Sequence, residues 1–423
     1  MSLKRLFPLN KKSLVSLASN PGNLHLALLF LIVLFQPFRP MYGIYNALLF
    51  PALFFIIATL IRKRSFFLPN TLICFLTLYI ISILISTIIS IDIETSSEDI
   101  RSEFLKQMIV FFLVILPVAS PGDKIKSMLG AFFISGLIMC TIGFFPFLLW
   151  GAFSTKDHRL VSFAESYTRL GYFYVLYAPF LVFMEKWKPA ERLAGILILL
   201  VLSLASTFLT LTRAAWISAP LAALVFAILA KKWRFLLVFV LIMTLMFLGL
   251  YISFSYVRDR VGDFREVVDW SGSFGQRTDY IWKSASRTVR DYPVFGVGYG
   301  KYIFEKAYYL NPVEGYPQKG EDVHCDAHNA FLEILLERGV FGILTTLLLY
   351  GYFLVRAIRL SRKSEEGALY LAFFVSVSIA FALFSVTGNV YLKETGRYLW
   401  QLAGIIFCLE KTGKKLGSDS INL

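Results

Sequence analysis

Apolar runs recur along this chain, many of about 18 residues or more, and no other feature restricts its fold as much. Lipid offers no partner to backbone N–H and C=O groups, so such a run crosses a bilayer as a helix. Charged or turn-rich breaks separate twelve of these segments, at 24–38, 43–61, 70–91, 104–119, 127–149, 170–184, 193–210, 214–230, 235–254, 330–354, 367–387 and 397–409. Only 17% of the 423 residues are charged and 57% are hydrophobic, whereas soluble domains carry roughly 25% charge. The expected fold class is an all-α integral membrane protein of about twelve transmembrane helices. It divides into nine helices over 1–254, a connection over 255–327, and three further helices with a tail over 328–423.

A net charge of +14 would suit nucleic acid, but the positions of the charges point to a phospholipid bilayer instead. Alternate connections read "RKR" (62–64), "DKIK" (123–126), "EKWKPAER" (185–192), "KKWR" (231–234) and "RAIRLSRK" (356–363), and the tail carries "KTGKK". Short loops dense in Lys and Arg belong on the cytoplasmic side. The opposite loops are acidic or nearly neutral, as in "IDIETSSED". Both termini are therefore expected in the cytoplasm, and an even number of spans agrees with that. The first apolar segment is followed by "QPFRP" and not by small residues, so it is read as a retained helix. Cys74, Cys140 and Cys408 lie in apolar runs and Cys325 in a polar one; no disulfide framework follows from that spacing.

The connection 255–327 falls on the non-cytoplasmic side and holds ten basic and eleven acidic residues. Long loops escape the charge rule, so its arginines do not disturb the topology. Within it, Ile281, Trp282, Ala285 and Val289 recur at helical spacing while Arg277, Lys283, Arg287 and Arg290 lie off that stripe. The pattern predicts an amphipathic helix over 276–290 resting on the membrane surface, ended by Pro293. The "GVGYG" at 296–300 lacks the preceding strand and the spacing of a nucleotide loop, and reads as a turn.

Arg213, in "LTLTRAAW", stands where two apolar runs meet. An arginine so placed either snorkels to the interface or holds an anion, for which its planar fork suits a diphosphate. Arg277 carries the same two readings. The segment "EDVHCDAHNAFLEILLERGVFG" (321–342) brings His324, Cys325, Asp326 and His328 close in sequence. Consecutive residues cannot all converge on one tetrahedral ion, and the spacing fits no common zinc pattern, so no metal site is assigned. Asp326 instead suits an N-cap. That would place His328 in the first helical turn, where the dipole favours a neutral imidazole able to accept a proton.

With "GQRTDYIWKSASRTVRDYPVFGVGYGKY" upstream of "AHNAFLEILLERGVFG", and Arg213 in "LTLTRAAW", the sequence resembles the O-antigen ligase and polymerase superfamily of bacterial envelopes. The resembling motifs are Gly275–Arg277, Trp282, Pro293–Gly298, His328–Leu332 and Glu337–Gly339. Thr212 stands where the family often has serine, and His324 and Cys325 match no motif. The resemblance implies a GT-C-like glycosyltransferase of the bacterial inner membrane that needs neither cofactor nor metal. It would take a glycan from undecaprenyl diphosphate at the periplasmic face and, as a ligase, place it on the lipid A core. Arg213 and Arg277 would bind the diphosphate, and His328 would act as general base in an inverting displacement. Arg159, Arg169 and Arg39 lie on the same expected face, either as further substrate contacts or as interfacial anchors. A polymerase joining lipid-linked repeat units is the alternative within the superfamily; the single late loop favours the ligase. A polyprenyl-glycan flippase would instead show charges deep in the membrane or inverted repeats, and the sequence shows no clear repeat.

Overall fold

The computed structural model describes residues 20–62, 68–152, 154–155, 158–183, 190–263, 275, 277–300, 303–314, 327–387 and 393–412. Among these the protein is helical throughout, with a single isolated β-bridge between Ser154 and Leu160. The helices are α1 (Pro21–Phe35), α2 (Tyr42–Arg62), α3 (Asn70–Ile88), α4 (Ile93–Asp99), α5 (Leu105–Ile115), α6 (Pro121–Ile138), α7 (Phe144–Trp150), α8 (Tyr167–Phe183) and α9 (Ala190–Leu209). They continue with α10 (Arg213–Ala230), α11 (Trp233–Ser253), α12 (Ser255–Gly262), α13 (Trp282–Asp291), α14 (Ile303–Tyr308), α15 (Ala330–Ser361), α16 (Glu365–Thr387) and α17 (Lys393–Thr412). Each of the twelve expected segments falls on a helix. By length and composition, seven helices among the described residues can cross a membrane: Arg39–Arg62, Asn70–Ile88, Pro121–Trp150, Arg213–Ala230, Trp233–Ser253, Ala330–Ser361 and Gly367–Val386.

Large apolar side chains face outward along several helices, while one helix–helix seam is built from small residues. Phe50, Phe54, Leu237 and Ile252 are each more than 70% exposed, as residues against acyl chains should be. The α10–α16 seam is lined by small residues, with Ala215, Ser218, Ala219, Ala222 and Ala223 on one side and Ala372, Ser376 and Ala380 on the other. Small side chains let two backbones approach closely where no hydrophobic effect drives helices together in lipid.

Four expectations change. The fourth segment begins earlier than expected. Much of the acidic "IDIETSSED" is the helix α4, capped by Asp92 Oδ1, which accepts from the Thr95 N–H at 3.1 Å. A π-turn over Ile100–Phe104 joins α4 to α5. The tenth segment is not one straight span. Gly339 adopts φ 62° and ψ −163° and divides α15 into a short first part and a long second part. The connection 255–327 holds more than one helix, since α12 and α14 accompany α13. Finally, the helix expected on the membrane surface opens as a π-turn over Arg277–Ile281 before α13. Its apolar stripe packs against the protein's own chain: Ile281 and Ala285 join Phe304, Tyr308, Ala327 and Leu336 in a separate small core. Gln276 lies outside the described residues.

The Gly339 break is held by backbone pairing with the turn after α13. The N–H groups of Val297 and Gly298 donate to Leu336 and Glu337 carbonyls, and those of Val340 and Phe341 donate to Pro293 and Val294 carbonyls. Pro293 ends the helical run, as the sequence predicts, although α13 extends to Asp291. Gly296, Gly298 and Gly300 all have positive φ. Cβ atoms built on them would lie 2.2–2.3 Å from Glu337, Ser90 and Asp99 respectively. The "GVGYG" turn is thus a packing device, glycine-rich because three neighbours come too close for any side chain.

Candidate functional site

The segments that carry the candidate residues fall into two groups, each tied together by its own contacts. Arg39 Nε pairs with Glu165 Oε2 at 3.2 Å, both side chains well exposed. Arg159 lies over the Tyr167 ring at 4.5 Å. The Tyr167 carbonyl in turn accepts from Thr212 Oγ1 at 3.4 Å, next to Arg213. Arg169 sits two residues into α8, half-buried. Leu160 N–H donates to the Leu209 carbonyl, laying the 158–160 strip across the end of α9. Arg39, Arg159 and Arg213 are therefore held by one connected set of loops. The partner of Arg39 makes it a surface ion pair, a contact worth little by itself.

Arg213 opens α10, and Thr212 does not cap that helix. The Thr212 hydroxyl turns toward Tyr167 and Thr210 carbonyls instead. An N-terminus without a side-chain cap beside a guanidinium favours negative charge. One arm of Arg213 is anchored, with Nη1 donating to the Asp263 carbonyl at 2.6 Å. Arg260 braces the same corner through the Leu211 carbonyl at 3.0 Å and Asp263 Oδ2 at 2.7 Å.

The second group centres on His328. The expected cap is corrected here. The N-cap of α15 is Asn329, whose Oδ1 accepts from the N–H groups of Phe331 and Leu332 at 3.0 and 3.1 Å. Asp326, with Glu321, Asp322, His324 and Cys325, lies outside the described residues. His328 precedes the cap and does not occupy the first turn, so helix-dipole tuning of its ring no longer follows. It takes a left-handed backbone, φ 49°. Such a conformation in a residue other than glycine persists only where its neighbours impose it, and it recurs at functional sites.

Those neighbours include α13. Trp282 Nε1–H donates to the Ala327 carbonyl at 2.9 Å, so the helix that follows Arg277 is tied directly to the residue before His328. Arg277 stands five positions before that tryptophan, at the head of the π-turn. The structure thus joins the segments of Arg277 and His328, while Arg213 is held on the other group. A chain of contacts runs from the loop of Arg39 toward the glycine turn that follows α13. Arg397 lies over the rings of Tyr42 and Tyr45 at 5.9 and 4.9 Å and pairs with Glu103 at 2.9 Å. The next residue, Phe104, sets its edge against Tyr299 of the glycine turn.

Several residues here were not singled out from sequence. Arg397 is fully buried beside its mostly buried partner. Arg338 is fully buried over the Tyr79 ring at 4.9 Å, and Glu333 and Glu337 are fully buried as well. The available signal was a charged residue inside or at the margin of an apolar run, which is costly unless paired.

The fold is that of a helical membrane protein, with seven helices among the described residues long and apolar enough to span a bilayer. Residues 198–347 match a family model described as O-antigen ligase. The match takes in Arg213, Arg277, Trp282 and His328 and supports the resemblance to the O-antigen ligase and polymerase superfamily. No curated protein matches the chain.

Proposed function

We propose that this protein is an O-antigen ligase of the bacterial inner membrane, GT-C-like in its helical layout. It transfers a glycan from undecaprenyl diphosphate to the lipid A core at the periplasmic face. Its two termini lie in the cytoplasm, as the basic short loops require. One observation carries the reading. Within the matched region, the helix that follows Arg277 is tied through Trp282 Nε1 to the carbonyl of Ala327, the residue before His328.

In this reading the guanidinium groups of Arg277 and Arg213 grip the diphosphate, beside the N-terminus of α10. They stabilise the charge that develops as the bond to the anomeric carbon breaks. His328 accepts the proton of the acceptor hydroxyl as that oxygen attacks from the opposite face, giving inversion. General-base assistance of this kind is worth about 10²–10⁴-fold, so His328→Ala should lose transfer by that order while remaining inserted and able to bind donor. Near-normal transfer by that variant would remove the base assignment.

Deletion of the gene, followed by lipopolysaccharide analysis, tests the function as a whole. A ligase leaves bare core while long polymer accumulates on the lipid carrier. Core capped with one repeat unit would mean a polymerase, and loss of all periplasmic lipid-linked glycan a flippase.

A further inference from the structure

We propose that Glu333 and Trp282 are positioning residues for His328, acting through the backbone of Ala327. The inference rests on the reading of His328 as the base, and it adds a device that sets the direction of the imidazole.

Ala327 is fully buried and held from both sides. Its N–H donates to Glu333 Oε2 at 2.6 Å, and its carbonyl accepts from Trp282 Nε1 at 2.9 Å. The carbonyl belongs to the peptide plane that also carries the nitrogen of His328, so Trp282 fixes one side of the His328 φ torsion. Asn329 fixes the other side. Its side chain caps Phe331 and Leu332, and its carbonyl accepts from the Glu333 N–H at 2.9 Å. Between these two anchors His328 is left with φ 49°, and its Cα–Cβ bond has one direction available.

Glu333 is an expensive choice for a packing position. It is fully buried in the first turns of α15, near the buried Ala330, Ile334 and Leu336, where an apolar side chain would avoid desolvating a carboxyl group. What it does there resembles a capping box whose span has doubled from three residues to six. In the ordinary box a Glu or Gln at the third helical position reaches back to the N-cap N–H. Here the residue at the fourth position reaches past the cap to Ala327. The lengthening leaves room for one residue with a left-handed backbone, and that residue is His328. Trp282 couples this box to α13, so the segment bearing Arg277 and the imidazole move as one body.

The test uses the full chain, purified into lipid nanodiscs, with undecaprenyl-diphosphate-linked glycan as donor and lipid A core as acceptor. Glu333→Ala should lower kcat about ten- to hundredfold with donor KM changed less than about twofold, as expected when a reacting group is misplaced by about an ångström. Glu333→Gln keeps an oxygen that accepts from Ala327 and should return kcat to within about threefold of the native value. Trp282→Phe keeps the ring but loses the donor, and should reproduce the kcat defect. Thermal unfolding of each variant in detergent separates folding from turnover. The proposal is overturned by native kcat per folded molecule in Glu333→Ala, by Glu333→Gln as slow as Glu333→Ala, or by a loss carried in KM. If Glu333→Ala does not fold, Trp282→Phe decides by the same kcat and KM criteria. His328→Ala separates the two levels. If it turns over normally, the base reading falls; if it is inactive while the positioning variants are native, only this inference falls.

Discussion

Thr212 and Arg213 divide the work of one corner: the hydroxyl turns back to the Tyr167 carbonyl, and one guanidinium arm reaches the Asp263 carbonyl. Anchoring one arm sets the plane of the fork before any substrate arrives. Lysine keeps the charge at such a position but neither the plane nor the second donor pair. Arg213→Lys is therefore expected to lower kcat/KM for the lipid-linked donor by about ten- to a hundredfold, the loss of one or two charge-assisted hydrogen bonds. Transfer assays across donor concentrations check it; unchanged kcat/KM would show that charge alone suffices. At this scale the sequence was partly legible. Arg213, Arg277, Trp282 and His328 stand out by residue type and spacing. Glu333 did not, because in "FLEILLERG" a lone carboxylate reads as the polar side of a helix. Its real partner, Ala327, is a backbone group with no signature in a string of letters.

Among the elements, α15 departs furthest from its sequence reading. A continuous apolar pattern predicts a continuous helix, and the chain instead breaks at Gly339, where only glycine is comfortable. The cause is tertiary. The turn 293–298 pairs its backbone with residues on both sides of the break, and no periodicity in α15 records the arrival of that partner. A Cβ on Gly339 would stand 2.3 Å from the Val294 carbonyl carbon. Gly339→Ala should therefore cost about 1–3 kcal/mol from the backbone conformation, with the collision adding to it. A thermal midpoint in detergent close to that of the native protein would show that the turn can yield. The amphipathic pattern over 276–290 was read correctly as a helix, but the partner of its apolar stripe was not legible, because one stripe serves equally well against lipid or against α14 and α15.

Across the whole molecule, the π-turn before α5 is joined to α17 by Glu103 and Arg397, 294 residues apart in sequence. Sequence placed Arg397 at the very start of the twelfth segment and began the fourth one residue after Glu103; pairing over such a distance leaves no local mark. Lys124 makes the same point. It reads as one of the short-loop charges that orient the chain, yet it is buried, with its amine on the Val114 and Leu116 carbonyls at 2.8 and 3.0 Å. Breaking a buried ion pair leaves an uncompensated charge. Arg397→Met should thus destabilise the protein by about 3 kcal/mol, toward the low end because Glu103 keeps some exposure. The double variant Glu103→Gln with Arg397→Met should cost less than the sum of the two single changes. Additive losses in thermal or denaturant unfolding would show that the two charges stabilise their helices separately. The bundle itself, with every apolar segment on a helix, was the most legible level, since lipid leaves a spanning backbone so few conformations.

The contacts beneath the Gly339 break bear on how the protein is made. Ser86 Oγ–H reaches the Glu337 carbonyl, and Arg338 reaches Ser82, each across more than 250 residues of chain. A ribosome delivers α3 long before α15. Ser82 bridges the interval by bonding the Tyr79 carbonyl of its own helix, but the docking surface stays open until the last quarter of the chain has been inserted. Arg213 and Arg277 are therefore synthesised before α15, and a nascent chain halted short of Ala327 carries both arginines without His328 and the Ala327 carbonyl that Trp282 holds.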